Sequence, residues 1–80
     1  MIKAIINVSL KAGVLDSQGK AVHHALDSLN FEGINDVRVG KQTILKLDTD
    51  DKQIAMADTR KMCEELLANT VIEDYEIELV

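Results

Sequence analysis

The chain has 80 residues, a net charge of −5 and one cysteine, with 46% hydrophobic but only 2% aromatic residues. Nucleic-acid affinity rests on an excess of Lys and Arg, and single strands also need stacking rings, so nucleic acid is excluded as a partner. No apolar run approaches the roughly 18 residues of a membrane span, and a lone cysteine closes no internal disulfide, so the expected setting is a reducing cytoplasm away from the membrane.

Ile2, Ala4, Ile6, Val8 and Leu10 alternate with Lys3, Asn7 and Ser9, which predicts a half-buried strand over residues 2–10 rather than a secretory leader. Gly13 then turns the chain, and Asp16 is placed to cap a helix whose first residue is Ser17. Ala21, Val22, Ala25, Leu26 and Leu29 form one helical stripe, which Asn30 and Gly33 end. Two strands are expected next, over about 34–39 and about 42–48, joined by a hairpin turn at Gly40-Lys41 that lacks an Asn-Gly or Asp-Gly signature. Thr49, Asp50 and Asp51 crowd the start of a second helix running to about Ala68, with Ile54, Ala55, Met62, Cys63, Leu66 and Leu67 as its apolar positions. Val71, Tyr75, Ile77 and Leu79 alternate with Asp74, Glu76 and Glu78 in a last strand.

The order β-α-β-β-α-β predicts a single α+β domain over residues 1–80, an antiparallel sheet with both helices on one face, as in ferredoxin-like folds. The opposite face is then expected to carry Ile5, Ile44 and Ile72 among its charges. That is more apolar than a solvated face needs, and it reads as an oligomer surface. Self-association also suits the length, because a domain this small buries only about 60% of its unfolded surface.

The most motif-like stretch, LKAGVLDSQGKAV (residues 10–22), fails as a phosphate loop. Gly13 and Gly19 have five residues between them instead of four, and Lys20 is followed by Ala21 rather than Ser or Thr. His23 and His24 are adjacent, so on a helix they point about 100° apart; His23 with Asp27 has ligand spacing, but two ligands make no zinc site. Cys63 lies on an apolar stripe and reads as a small buried hydrophobe. Asp74, Glu76 and Glu78 share a strand face, where acidic residues keep an edge soluble. Arg38 and Lys41, beside the expected turn, are cations suited to an acidic partner or phosphate. No nucleophile with its base, no metal cluster and no phosphate cradle assembles, so no autonomous active site is expected.

The stretches LKAGVLDSQGKAVHHAL (10–26), VRVGK (37–41) and MCEELLANTVIEDYEIE (62–78) resemble PurS, the small subunit of bacterial and archaeal phosphoribosylformylglycinamidine synthase, over almost the whole chain. Ser17 and Thr70 depart from the resembled pattern, which carries proline at both positions. The resemblance implies a non-catalytic, homodimeric or dimer-of-dimers subunit that bridges a glutaminase subunit and a synthetase subunit in purine biosynthesis. It further implies that ATP and Mg act in the synthetase subunit, with no cofactor bound here. Loops are the expected contact sites: Lys11, Gly13, Val14, Leu15 and Asp16; Arg38, Gly40 and Lys41; and Asn69, Val71, Ile72 and Glu73. A dimeric small-molecule-sensing regulatory domain is the alternative, since such sensors share this element order.

Overall fold

In the computed structural model, which describes residues 1–80, β1 (Ile2–Leu10) lies at the centre of a three-stranded antiparallel sheet, between β2 (Lys41–Leu47) and β3 (Glu73–Leu79). The register sets Ala4 between Leu45 and Leu79, and Ile6 between Thr43 and Ile77. Because side chains alternate along a strand, this pairing gathers the apolar residues of all three strands on one face. Ile2, Ala4, Ile6 and Val8 are buried there.

That face is covered by α2 (Lys52–Met62) and the π-helical turn that continues it, Cys63–Leu67. Asp51 caps α2, its carboxylate accepting from the backbone N–H groups of Gln53 and Ile54. The buried stripe is Ala55, Thr59 and Cys63, with Ala68 just beyond, all small enough to let helix and sheet approach closely. Ile54, Met62 and Leu66, expected in that stripe, are exposed instead, Leu66 by 82%. The π turn accounts for Leu66: the Ala68 N–H donates to the Cys63 carbonyl five residues back, so the wider turn rotates Leu66 outward while Ala68 turns in.

α1 (Ser17–Ser28) begins where expected. At its other end Leu29 is the cap and Asn30 adopts a left-handed φ of 67°. The Asn30 N–H donates to the Asp27 carbonyl and the Phe31 N–H to the Leu26 carbonyl, the two bonds of a Schellman motif.

The α+β class, the antiparallel sheet and the two helices stand as expected, but one segment behaves differently. Residues 31–40 form no strand, and the chain does not reverse at Gly40-Lys41. A two-residue hairpin turn needs positive φ, which only Gly13 and Gly33 among the glycines adopt. Gly40 is there for close approach: a Cβ on it would meet the Val8 carbonyl oxygen at 2.3 Å. The chain instead returns along α1, where the Ile34 carbonyl lies 2.9 Å from Nε2 of His23, and passes β1 at Gly40 on its way into β2.

Without that hairpin nothing folds α1 back onto the sheet, and only Gly19 of α1 is buried, so the two helices do not share one sheet face within a single chain. The molecule is an elongated 48 × 25 × 15 Å, a sheet-and-α2 body with an arm made of α1 and residues 29–36. Its radius of gyration is 16.0 Å, against about 12 Å for a compact chain of this length.

Candidate functional site

Three loops far apart in sequence meet at the end of the sheet where β1 finishes. The Lys11 N–H donates to the Ile72 carbonyl at 2.8 Å, joining the loop after β1 to the loop before β3. Arg38 joins the third segment to them. Its guanidinium donates to the carbonyls of Leu10 and Lys11 at 3.3 Å and of Val14 at 3.4 Å. Lys41 Nζ at the start of β2 lies 3.9 Å from Glu73 Oε1 at the start of β3, spanning β1 between them. The three expected contact surfaces are thus one continuous end of the molecule.

Asp16 organises this end. It is 5% exposed, and its two carboxylate oxygens accept from the Gly19 N–H at 2.7 Å and the Val39 N–H at 2.8 Å. Nε of Arg38 lies 3.9 Å from one of them. The Val39 and Gly19 N–H bonds, in that order, hold the Asp16 carboxyl below its ordinary pKa; burial opposes the shift, and Arg38 and the Gln18 N–H add to it. Gly19 is required for closeness, since a Cβ would meet the Val37 carbonyl oxygen at 2.5 Å and Asp16 Oδ2 at 2.7 Å. Asp16 therefore caps α1 and also ties residues 37–39 to it.

The loop that Asp16 and Arg38 hold displays Leu15, 66% exposed, and turns through Gly13 at φ +87°. Val14 is half-buried and its N–H donates to the Lys11 carbonyl. Across from it, Asn69 closes a tight turn: its side chain accepts from the Val71 N–H, its carbonyl accepts from the N–H groups of Ile72 and Glu73, and Glu73 Oε1 accepts from the Asn69 N–H. That turn presents Val71, 81% exposed. This end therefore combines a fixed backbone, exposed apolar tips and a paired charge.

Ile5 and Ile44 share the open sheet face, where they are direct cross-strand partners, with Ile44 exposed. Ile72 lies in the turn before β3, off the sheet and within the loop end. Lys46 lies on the β2 side of this face and Glu76 and Glu78 on the β3 side.

The remaining chemical candidates are spent elsewhere. Burial and then Glu64 push the Cys63 thiol above its ordinary pKa, as befits an inert core residue. Glu64, as hydrogen-bond acceptor, and burial raise the Tyr75 phenol, which lines a 490 Å³ hollow with Met56, Arg60, Glu76 and Ile77. His23 Nε2 faces the Ile34 carbonyl and lies 3.8 Å from Asp27 Oδ2, so it ties the arm together. No three His, Cys, Asp or Glu side chains converge at metal-binding distance. The N-terminus of α1 already holds the Asp16 carboxylate, whose charge opposes a phosphate there. Reading the sequence alone missed Gly19 as part of this end and His23 as a tie within the arm. The signal for Gly19 was a glycine in a first helical turn, unfavourable unless something passes close to it.

A family model described as PurS, phosphoribosylformylglycinamidine (FGAM) synthase, matches residues 3–80. The phosphoribosylformylglycinamidine synthase subunit PurS of Bacillus subtilis strain 168 is 48% identical over 79 residues, covering 99% of this chain and 93% of that protein. The crystal structure of Methanocaldococcus jannaschii PurS, described as one of the subunits of formylglycinamide ribonucleotide amidotransferase, superposes with a TM-score of 0.90 at 34% identity, covering 100% of this chain and 96% of that one. A chain in the structure of PurLQS from Thermotoga maritima also gives a TM-score of 0.90, at 30% identity, covering 99% and 96% of the two chains. No helix of this chain is long and apolar enough to cross a membrane.

Proposed function

The chain belongs to the PurS family, and from that premise we propose that it is the non-catalytic bridging subunit of the ATP- and glutamine-dependent ligase that converts formylglycinamide ribonucleotide to formylglycinamidine ribonucleotide. In this role it couples a glutaminase subunit, which releases ammonia, to a synthetase subunit, which consumes it. The observation that carries the reading is the likeness over residues 3–80 to subunits of that synthase, one of them in a PurLQS structure. The names of these relatives favour it over a small-molecule-sensing domain. ATP and magnesium are assigned to the synthetase subunit. The compartment is that of the pathway, the cytoplasm.

The working unit is a homo-oligomer, at least a dimer. The chain exposes 5941 Å², whereas a compact protein of 8.9 kDa exposes about 4,800 Å². The excess of about 1,100 Å² exceeds the roughly 800 Å² that each partner buries in a standard interface. On the arm, Val22, Leu29 and Phe31 are uncovered. The loop end, with Leu15, Val71 and the Lys41–Glu73 pair, is the surface offered to the two larger subunits.

The test is reconstitution. Glutamine-dependent product formation is measured for the glutaminase and synthetase with and without this chain, and most of the turnover is expected to vanish on omission. Undiminished turnover without the chain refutes the role.

A further inference from the structure

Arg38 read in sequence as a cation free for an acidic partner. In the fold its donors are already committed: one guanidinium faces three carbonyls of the Leu10–Val14 stretch and the Asp16 carboxylate. The planar fork of five N–H groups is suited to this, because it reaches several acceptors at once where an ammonium acts as a compact point charge. Each contact to a carbonyl is long, so their effect lies in convergence. Asp16 supplies the short bonds, to the Gly19 and Val39 N–H groups.

We infer that Arg38 and Asp16 form a clasp that sets the shape of the Lys11–Leu15 loop and the direction in which the α1 arm leaves the sheet, and that Arg38 is a positioning residue for assembly with the larger subunits. Two observations support it independently. The carbonyls Arg38 gathers lie at the end of β1 and in the loop that displays Leu15, whose shape otherwise rests on the Val14 N–H to Lys11 bond, the Lys11 N–H to Ile72 bond and the turn at Gly13. The backbone on either side is built around the same point: Gly19 lets residue 37 pass, and Gly40 lets the chain lie against Val8. A clasp of this kind ties the arm, which carries the oligomer surface, to the loop end, which carries the partner surface.

The inference rests on the bridging role proposed above, and the experiment separates the two. Glutamine-dependent turnover of the reconstituted complex is titrated with wild-type chain, Arg38→Met and Arg38→Lys, while the melting temperature and amide exchange of each free chain are recorded. Arg38→Met keeps the length and apolar stem but none of the donors. It is expected to raise the half-saturating concentration of the chain by about ten-fold, more than it lowers the plateau rate. Exchange at the Val14 amide should quicken by about ten-fold with the β1 amides unchanged, and the melting temperature should move by no more than about 2 °C. Arg38→Lys, retaining the charge, should recover part of the affinity.

Unchanged half-saturation with Arg38→Met overturns the inference. So does a loss of affinity that merely tracks a lowered melting temperature in both variants. If the wild-type chain itself fails to promote turnover, the bridging role falls, while the Val14 exchange still reports on the clasp.

Discussion

The body and the arm of this chain are made of similar residues in opposite states. In the body, Ile6, Val8, Cys63 and Ala68 form a closed core, with Leu45, Leu67, Tyr75 and Ile77 packed around it. In the arm, Leu29 and Phe31 are 67% and 57% exposed. The difference lies in connection rather than in composition. The body's strands are joined through a helix that returns to the sheet, whereas the arm is reached through a junction that carries the chain away from it. The arm's apolar stripe is therefore left open within one chain, and the body's is completed there.

The sharpest way to break this contrast is to damage each half separately. Ile6→Ala removes the largest fully buried side chain of the body and should cost about 2–5 kcal/mol by urea denaturation. The double substitution Leu29→Glu with Phe31→Glu places charge on uncovered arm surface, so it should leave the circular dichroism of the sheet in place. Its effect should be on association, bringing the molar mass by light scattering down to the 8.9 kDa of one chain. A body destabilised by the arm substitutions, with oligomers intact, would show that the two regions are not divided in this way.

The junction between them should respond to acid. Asp16 has a folded pKa below its ordinary 3.8, so its contribution is fully present above that value and is lost as pH falls through the lower folded value. Protection of the Gly19 and Val39 amides should fall in that window, ahead of the β1 amides. Asp16→Asn should flatten the dependence, since the amide does not titrate there.

How much of this was legible in the sequence follows from which forces act locally. The period-two runs at residues 2–10 and 73–79 and the caps at Asp16 and Asp51 were readable because alternation and capping are settled by near neighbours. Gly40 was misread, since a glycine needed for a turn and one needed for closeness look alike, and only the Val8 carbonyl distinguishes them. The exposed Leu66 was hidden by a π turn that shifts the stripe by one residue, which a period of 3.6 does not anticipate. The loops at Lys11, Arg38 and Asn69 were each picked out as surfaces, but their union depends on strand order and on where one guanidinium points.

Thr59 offers a smaller test, inside the body. Its hydroxyl is buried with no hydrogen-bond partner in the chain, where a methyl of the same shape would carry no such cost. Thr59→Val should raise stability by about 1 kcal/mol by urea denaturation, with no change in oligomer mass.

The smallest effect is expected at the boundary of the arm, where Ser17 stands in place of the proline of the resembled pattern. Proline at a first helical position loses no bond, because that N–H has no partner in the helix, and its ring holds φ near the helical value. The residue before it must stay out of the α-helical region, and Asp16 already does, at φ −105° and ψ 87°. Ser17→Pro therefore restricts the unfolded chain without straining the folded one, and should stabilise by about 0.4–1 kcal/mol. Because the gain arises at the α1 end of the clasp, it should appear as slower exchange of the Gly19 and Val39 amides and leave the Ile6 amide unaffected. A gain spread evenly over both regions would mean that arm and body unfold as one unit, and the contrast between them would then be one of packing alone.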